Sequence, residues 1–402
     1  MEDYWQNQEL NDLVREINET TASEPESAPA LPADRADVRE GDPLERALVE
    51  MARRGASDVL LIHGLPPVVR VDGALVRTGL PLLDEDDLRT MISPYLSSRA
   101  TQQLDQEGSS DFSLRLEANG SERRGRNWRF RVNIHRQRGR LAIAVRALPF
   151  EIPTLQQLNL PQSLTELVRP ARGLILISGP TGSGKSSTLA ALIGEINRTS
   201  ARHVITIEDP IEYEHQNDRA IIEQIEVGRD SPSFAGALRA ALRQDPDVIL
   251  VGEMRDLETV ATAVTAAETG HLILSTLHTS DTAQALHRII DVFPSAQQTQ
   301  IRQQLALSLH AIVSQQLIPR IDIRGRIPAT EVLIANHAIR QHIRTDRLQN
   351  IATELTLGKR IGMIALDDSL AELVHSGRIS LEEAQLRARH PEELRRSVEG
   401  GG

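Results

Sequence analysis

The chain has 402 residues, enough for two or three domains with sizeable interiors, so a single small module is excluded. Its 45 Lys and Arg against 56 Asp and Glu leave a net charge of −11, which argues against nonspecific wrapping of nucleic acid or an anionic membrane face. No cysteine occurs, so disulfides, thiolate catalysis and Cys-ligated zinc are excluded by counting, and aromatics at 2% leave the core to Leu, Ile, Val and Ala.

The opening stretch, MEDYWQNQELNDLVREINE, has no basic region leading into an apolar one, and no later run approaches the roughly eighteen apolar residues of a bilayer span. A cytoplasmic protein is the expectation. Leu10, Leu13, Val14 and Ile17 recur at helical spacing behind Tyr4 and Trp5 and predict a short amphipathic helix. Residues 20–43 are mostly Pro, Ala, Ser and acid, with little to bury, and read as a flexible tether. The helix either packs on its own domain or docks on a partner.

Residues 44–150 read as a mixed α and β domain. A helix is predicted from Leu44 to Arg54, followed by strands in ASDVLLIHG and PPVVRVDGALVRT, with Pro66, Pro67 and Asp72-Gly73 as punctuation. Asp84 can cap a helix whose Leu88, Met91, Ile92 and Leu96 share a face, and two strands follow, WRFRVNIHR and GRLAIAVRAL. Arginines crowd this end: Arg123, Arg124, Arg126, Arg129, Arg131, Arg136, Arg138, Arg140 and Arg146. Most read as solvated surface, with some free to reach an anionic ligand.

Pro149, Pro153 and Pro161 mark a linker over residues 151–160. From Gly173, short apolar runs alternate with helical patterns: GLILIS, a helix over 185–197, HVITI, a helix over 233–243, DVILVG, a helix over 257–269, and HLILST. Runs of this kind are strands buried on both faces, so residues 161–335 predict a parallel sheet flanked by helices. Residues 336–396 read as helical, with Gly377 ending one helix and Ser380 with Glu383 offering a capping box to the next. Residues 397–402 read as a disordered tail.

The chemistry gathers at the ends of these strands. Gly179, Pro180, Thr181, Gly182, Ser183, Gly184, Lys185 and Ser186 fit the GxxxxGK[ST] phosphate loop, and Ser187 follows. Backbone N–H groups of such a loop turn inward around phosphate oxygens at a helix N-terminus. Lys185 then reaches the β and γ phosphates, and the Ser186 hydroxyl holds Mg²⁺. A second strand ends in Glu208, Asp209 and Glu212, and a third delivers Glu253, the choice for the residue that orients or deprotonates water and helps position the metal. The fourth ends at His278, which either senses the γ phosphate or is structural. His271, at the opposite end of that strand, reads as closing the helix before it, and Asp256 as a cap.

The strings GPTGSGKSSTLAAL, TIEDPIEYEH and ALRAALRQDPDVILVGEMRDLETVATAVTAAETGHLILSTLHT closely resemble the Walker A, Asp, Walker B and His boxes of the type II/type IV secretion ATPases, in family order. ASDVLLIHGLPPVVRVDG and the helical tail also look like the pilus-retraction, twitching-motility branch. The resemblance implies an α/β protein: a PAS-like N-terminal domain, a RecA-like ATPase domain and a helical C-terminal part. It also implies a cytoplasmic homohexamer at the inner-membrane pilus base that works on a platform protein, alongside other pilus ATPases, and uses ATP and Mg²⁺ without nucleic acid. Carried over, Lys185 and Ser186 serve phosphate and Mg²⁺, Glu212 the Asp box, Glu253 catalysis and His278 the His box. Arg131, Arg138 and Arg146 match the arginine-bearing strands by approximate register. Gly252 stands where many P-loop enzymes place a metal-binding Asp, a departure the family shares. Ala338-Ile339-Arg340-Gln341-His342-Ile343-Arg344 differs at two positions from the branch's AIRNLIR motif. The rival functions are an accessory or assembly ATPase of a related secretion system and, less fitting for an acidic chain poor in aromatics, a nucleic-acid translocase.

Overall fold

A computed structural model describes residues 43–71, 73–117 and 127–400. The amphipathic helix and the tether up to residue 42 lie outside these, as do Asp72, Arg123, Arg124, Arg126 and the last two glycines. Pro43, assigned to the tether from composition, instead opens the first helix, where a missing N–H costs nothing.

The N-terminal part runs α1 (Pro43–Arg53), β1 (Asp58–Ile62), β2 (Val68–Val71), β3 (Ala74–Arg77), α2 (Glu85–Ile92), α3 (Ser98–Glu107), β4 (Ser109–Glu117), β5 (Asn127–Gln137) and β6 (Arg140–Ala147). The strands pair antiparallel in the order β3-β2-β1-β6-β5-β4. Leu44, Leu48, Met51 and Leu88 from the helices bury against Val59, Leu61, Val132, Ile134 and Ile143 of the sheet. Asp84 caps α2 reciprocally: Asp87 N–H donates to Asp84 Oδ1 (2.8 Å), and Asp84 N–H donates to Asp87 Oδ2 (2.9 Å). Because side chains alternate along β5, burying Phe130, Val132 and Ile134 turns Arg129 and Arg131 to the other face. The arginine crowding is therefore partly the polar half of a strand pattern.

The larger part runs β7 (Gly173–Ser178), α4 (Lys185–Thr199), β8 (His203–Glu208), β9 (Ile221–Glu226), α5 (Phe234–Ala241), β10 (Val248–Val251), α6 (Leu257–Thr269), β11 (Leu272–Leu277), α7 (Thr282–Asp291), α8 (Ser295–Ser308), β12 (Leu309–Pro319) and β13 (Arg326–Ile334). Its seven-stranded sheet has the order β13-β12-β7-β11-β10-β8-β9, parallel except for the β12–β13 hairpin. Leu174 and Leu176 face one core and Ile175 and Ile177 the other, which is why the run GLILIS is apolar throughout. β9, β12 and β13 were not anticipated; the polar pairs in SQQ and EQ break the apolar-run signal.

The chain then turns helical through α9 (His337–Arg344), α10 (Ile351–Leu357), α11 (Leu366–His375), α12 (Leu381–Gln385) and α13 (Pro391–Glu399). The last helix continues to Glu399, past the expected disorder boundary at 396, because Leu394 is buried in the small core with Leu370, Ile379 and Ala384. Ser380 accepts the Glu383 N–H at 3.2 Å, but the Glu383 carboxylate pairs with Arg387 instead of closing a capping box. Among the described residues no helix is long and apolar enough to cross a membrane.

The two sheets meet along β4 and β5. Ser113 Oγ donates to Glu226 Oε1 (2.9 Å), Arg115 pairs with Glu214, and Arg99 Nη1 donates to Gly228 O (2.6 Å). His215 lies in this seam, its Nδ1 buried and without a partner, and burial lowers its pKa from 6.5 to about 4. Between those values the unfolded chain binds the proton that the folded chain refuses, so stability is full above about 6.5 and falls as pH drops toward 4. Urea unfolding across this window should show up to ~3 kcal/mol of acid loss from this group. His215→Gln flattens that limb; an unchanged limb contradicts the buried neutral ring.

Candidate functional site

The loop after β7 is held in shape by its neighbours. Gly179 adopts φ 147°, and a Cβ there would come within 2.3 Å of Gln315 O and 2.5 Å of Ser183 Oγ, so only glycine lets β12 approach so closely. Gln315 is itself buried: its Nε2 donates to Ser183 O (2.5 Å), and its Oε1 accepts from Thr188 Oγ1 (2.8 Å). The loop is thereby pinned to β12 on one side and to α4 on the other. Ser178 Oγ and Ser183 Oγ are buried with no partner in the protein, the condition of donors kept for a bound group.

Lys185 opens α4 and is 8% exposed. Its Nζ donates to Gly179 O (2.8 Å) and Pro180 O (3.0 Å) and lies 3.5 Å from His278 Nδ1. Burial lowers the Lys185 pKa, and the carboxylates of Glu253 and Glu212 oppose that shift. On the far side of the imidazole, His278 Nε2 is 3.5 Å from Glu253 Oε1, which also takes Arg255 Nε at 2.5 Å. The three strand ends thus bring Lys185, His278 and Glu253 into one chain of contacts, with Glu212 near enough to act on the ammonium. Burial and then Lys185 lower the His278 pKa, with Glu253 pulling the other way, so the ring is neutral at neutral pH.

β10 and β11 lock together beneath this group. Ser275 Oγ donates to Val251 O (2.6 Å) and Thr276 Oγ1 to Gly252 O (2.5 Å). Gly252 N–H donates to Ile207 O (2.8 Å), and a Cβ at Gly252 would lie 3.2 Å from that oxygen. A side chain where many P-loop enzymes carry Asp would press on β8. Asp256 caps α6 through Thr259 N–H (2.8 Å), and His271 closes the same helix on Ala266 O, both structural.

The family described as "Type II/IV secretion system protein" matches residues 124–399. The Pseudomonas aeruginosa type IV pilus retraction ATPase PilT is 41% identical over 341 residues, 85% of this chain and 96% of that protein. A twitching motility protein of Neisseria gonorrhoeae is 41% identical over 328 residues, 82% of this chain and 86% of that protein. A crystal structure of the pilus retraction motor PilT with bound ADP superposes with a TM-score of 0.80 at 45% identity, covering 89% of this chain and all of that one. This chain belongs to the type II/IV secretion ATPase family. Its fold is the family's: a PAS-like N-terminal domain, a RecA-like ATPase domain and a helical C-terminal segment.

Against the family's boxes, the remaining sequence-predicted residues fall in different places. Glu208 does not turn to the loop: its Oε1 accepts from Thr206 Oγ1 (2.7 Å) and Gln224 Nε2 (3.2 Å), and burial raises its pKa. The strand end on β8 packs against β9, and Glu208 also meets the backbone N–H of Glu212. Asp209 lines a cleft of about 800 Å³ between the sheets, opposite Arg131, whose Nε lies 3.4 Å from Asp111 Oδ1. Arg146 stands beside Arg131 in strand register but binds Asp58 at 2.7 Å, and Arg138 occupies the β5–β6 turn with φ 49°. Within this one chain these arginines contact neither Lys185 nor Glu253.

Two further groups act on the site without a sequence signal of their own. Arg129 donates to Ile211 O (2.5 Å) and Glu212 O (3.3 Å) and pairs with Glu214 (3.1 Å), so the N-terminal sheet grips the turn that carries Glu212. It sits two residues before Arg131 on the same strand face, and only the tertiary contact distinguishes the two. Tyr213 OH and Ser187 Oγ are 2.7 Å apart, tying the same turn to the first turn of α4.

Ring-proton NMR tests the electrostatics. His278 should titrate below the ordinary 6.5. Lys185→Met, which removes a neighbouring positive charge, should raise its pKa, and Glu253→Gln should lower it further. Movement in the reverse directions would show that the ring is not flanked by those two groups.

Proposed function

We propose that this chain is the subunit of a homohexameric, ATP-hydrolysing motor that drives type IV pilus retraction. The observation that carries the reading is the convergence of Lys185, His278 and Glu253 at a glycine loop braced by Gln315, within a chain matching an ADP-bound retraction motor over that motor's full length. The relatives named as pilus retraction and twitching proteins support the biological role.

In this reading the backbone N–H groups from Gly179 to Gly184 bind phosphate, with Pro180, Thr181 and Gly182 shaping the turn and Ser187 continuing the helix. Lys185 leaves its two carbonyl partners for the β and γ phosphates. Mg²⁺, when bound, neutralises charge on those phosphates. The residues present fit it: Ser186 is an exposed hydroxyl at the helix start, with the Glu253 carboxylate across the loop. The absence of a cluster of three or more His, Cys, Asp or Glu among the described residues suits an ion that takes most ligands from water and phosphate. Glu253 orients the attacking water and accepts its proton. Glu212 and Asp209, on the turn held by Arg129, help place metal and water. Neutral His278 donates or accepts a hydrogen bond at the terminal phosphate, linking its presence to the loop that leads into α7.

Arg131, Arg138 and Arg146 belong to the closing face of the N-terminal domain and reach nucleotide when the domains shift or a neighbouring subunit packs. Residues 44–150 are then one moving body and residues 161–335 with 336–396 the other, joined at 151–160, since Ile339, Ile343, Ile351 and Leu355 share the core of the parallel sheet. Rotation between them passes work to an inner-membrane platform protein at the cytoplasmic pilus base, with other pilus ATPases as co-workers and no nucleic acid.

Steady-state hydrolysis by the purified full chain tests the reading. Lys185→Ala should lower kcat by roughly 10²-fold or more by removing charge stabilisation at the phosphates. Glu253→Ala should cost at least about 10²-fold while a fluorescent ATP analogue still binds within a few-fold of wild type. Equal turnover by wild type and Glu253→Ala would overturn the assignment. Deleting the gene should give hyperpiliated, non-twitching cells; bald cells would make this an assembly ATPase.

A further inference from the structure

A buried ionic cluster joins the C-terminal helices to the loop that carries His278. Glu331, in the middle of β13, is 2% exposed. Its Oε1 accepts three donors: Thr282 N–H (3.0 Å), Thr282 Oγ1 (2.7 Å) and Arg389 Nη2 (3.0 Å). Arg389 Nη2 also lies 3.5 Å from Asp281 Oδ1, the N-cap of α7. Glu331 Oε2 has no partner, so the guanidinium is the full positive charge set against this carboxylate. Arg389 is held in turn by the tail, since its own N–H and that of His390 donate to Asp367 on α11 at 2.8 and 3.0 Å.

The geometry has a direct consequence for the site. The segment from His278 to Asp281 is short, one end fixed by β11 and the other by Thr282, the completely buried first residue of α7. Ser314 Oγ gives it one further tie, to Ser280 O at 3.0 Å. Thr282 fixes the far end of the short segment whose first residue, His278, directly follows the last paired residue of β11. Thr282 is seated on Glu331, and Arg389 places its counter-charge on the same oxygen that takes both Thr282 donors.

We propose that Arg389 is a positioning residue for the His loop, acting through Glu331 and Thr282 so that the C-terminal helices set the placement of His278. This rests on the hydrolytic reading above. Without Arg389, a carboxylate buried beside the loop loses its counter-charge. The oxygen that seats Thr282 also loses one of its three donors, and the start of α7 moves with it. The phosphate loop, pinned separately by Gln315, is untouched. The defect therefore falls on turnover and not on nucleotide binding.

The test is a double-mutant cycle on the full chain in its native assembly, measuring kcat, KM for ATP and affinity for a fluorescent ATP analogue. Arg389→Gln should lower kcat about tenfold, with analogue affinity within about twofold of wild type, and Arg389→Lys should recover most of the loss. Combined with His278→Ala, Arg389→Gln should add little, because both remove the same interaction. Losses that multiply, a wild-type kcat in Arg389→Gln, or a wild-type kcat in His278→Ala each overturn the proposal. Should Arg389→Gln fail to fold, the same cycle with Glu331→Gln decides by the same criterion. A wild-type rate no higher than that of Lys185→Ala would instead overturn the hydrolytic reading, and it registers before any cycle is built.

Discussion

Parallel register is the constraint on which the site depends. Ser178 pairs with Leu277, Val251 with both Ser275 and Ile207, and so the carboxyl ends of β7, β11, β10 and β8 finish at one edge of the sheet. Side chains in a strand alternate faces, so a slip of one residue would exchange the two apolar cores and carry Glu253 and His278 off the loop. The penalty is severe because both faces are dry: Leu174 and Leu176 would have to trade places with Ile175 and Ile177 within packed interiors. Hydrophobic burial far from the chemistry therefore fixes the spacing at which Lys185, His278 and Glu253 meet. The hydroxyls of Ser275 and Thr276, bonded to the carbonyls of Val251 and Gly252, reinforce that alignment at the strand ends.

The turn bearing Glu212 is governed differently. It lies beyond the last bonds of β8, where the Glu208 carboxylate meets the Glu212 backbone N–H, and it takes further grips from outside its own strand. Arg129 holds the carbonyls of Ile211 and Glu212, while Glu226 Oε2 accepts the Ile211 N–H at 3.2 Å and its other oxygen takes Ser113. Two of these three grips come from the N-terminal sheet. Burial presses the Arg129 pKa downward, and Glu214 and Glu226 counter it, so a largely buried guanidinium stays paired with a partly exposed carboxylate. A displacement of the N-terminal sheet is thus felt directly at an acid of the Asp box. Contacts of this kind would give the proposed domain rotation and the nucleotide chemistry a common set of atoms.

How much of this was legible in the sequence follows from the range of the interactions involved. The phosphate loop is written in consecutive residues whose glycines answer local backbone demands, and the caps at Asp84 and Asp256 depend on neighbours three residues away. Apolar runs of GLILIS type announce buried strands without help from the rest of the chain. Gln315 carries no such mark: a glutamine within IVSQQLIP is ordinary until β12 lies beside the loop. Arg129 and Arg131 share a strand, a face and a residue type, so periodicity alone could not tell which one grips the Asp-box turn. Glu208 shows the complementary case. Its position at a strand end suggests the ligand side, but β9, hidden by its polar residues, covers it with Gln224.

The Glu253 carboxylate has two unequal contacts. Arg255 makes the shorter of the two contacts to Glu253, yet the Arg255 side chain is 78% exposed, and an ion pair so solvated is worth about 0–1 kcal/mol. The longer contact is with His278, whose side chain is 41% exposed and whose pKa is lowered by burial and by Lys185. Position is supplied instead by the backbone, because Gly252 is clamped between Ile207 O and Thr276 Oγ1 immediately before Glu253. The side chain is consequently free to exchange Arg255 for water or metal at little cost, while its Cα cannot wander. A fixed root and a weakly held tip is the combination that the base role proposed for Glu253 would use.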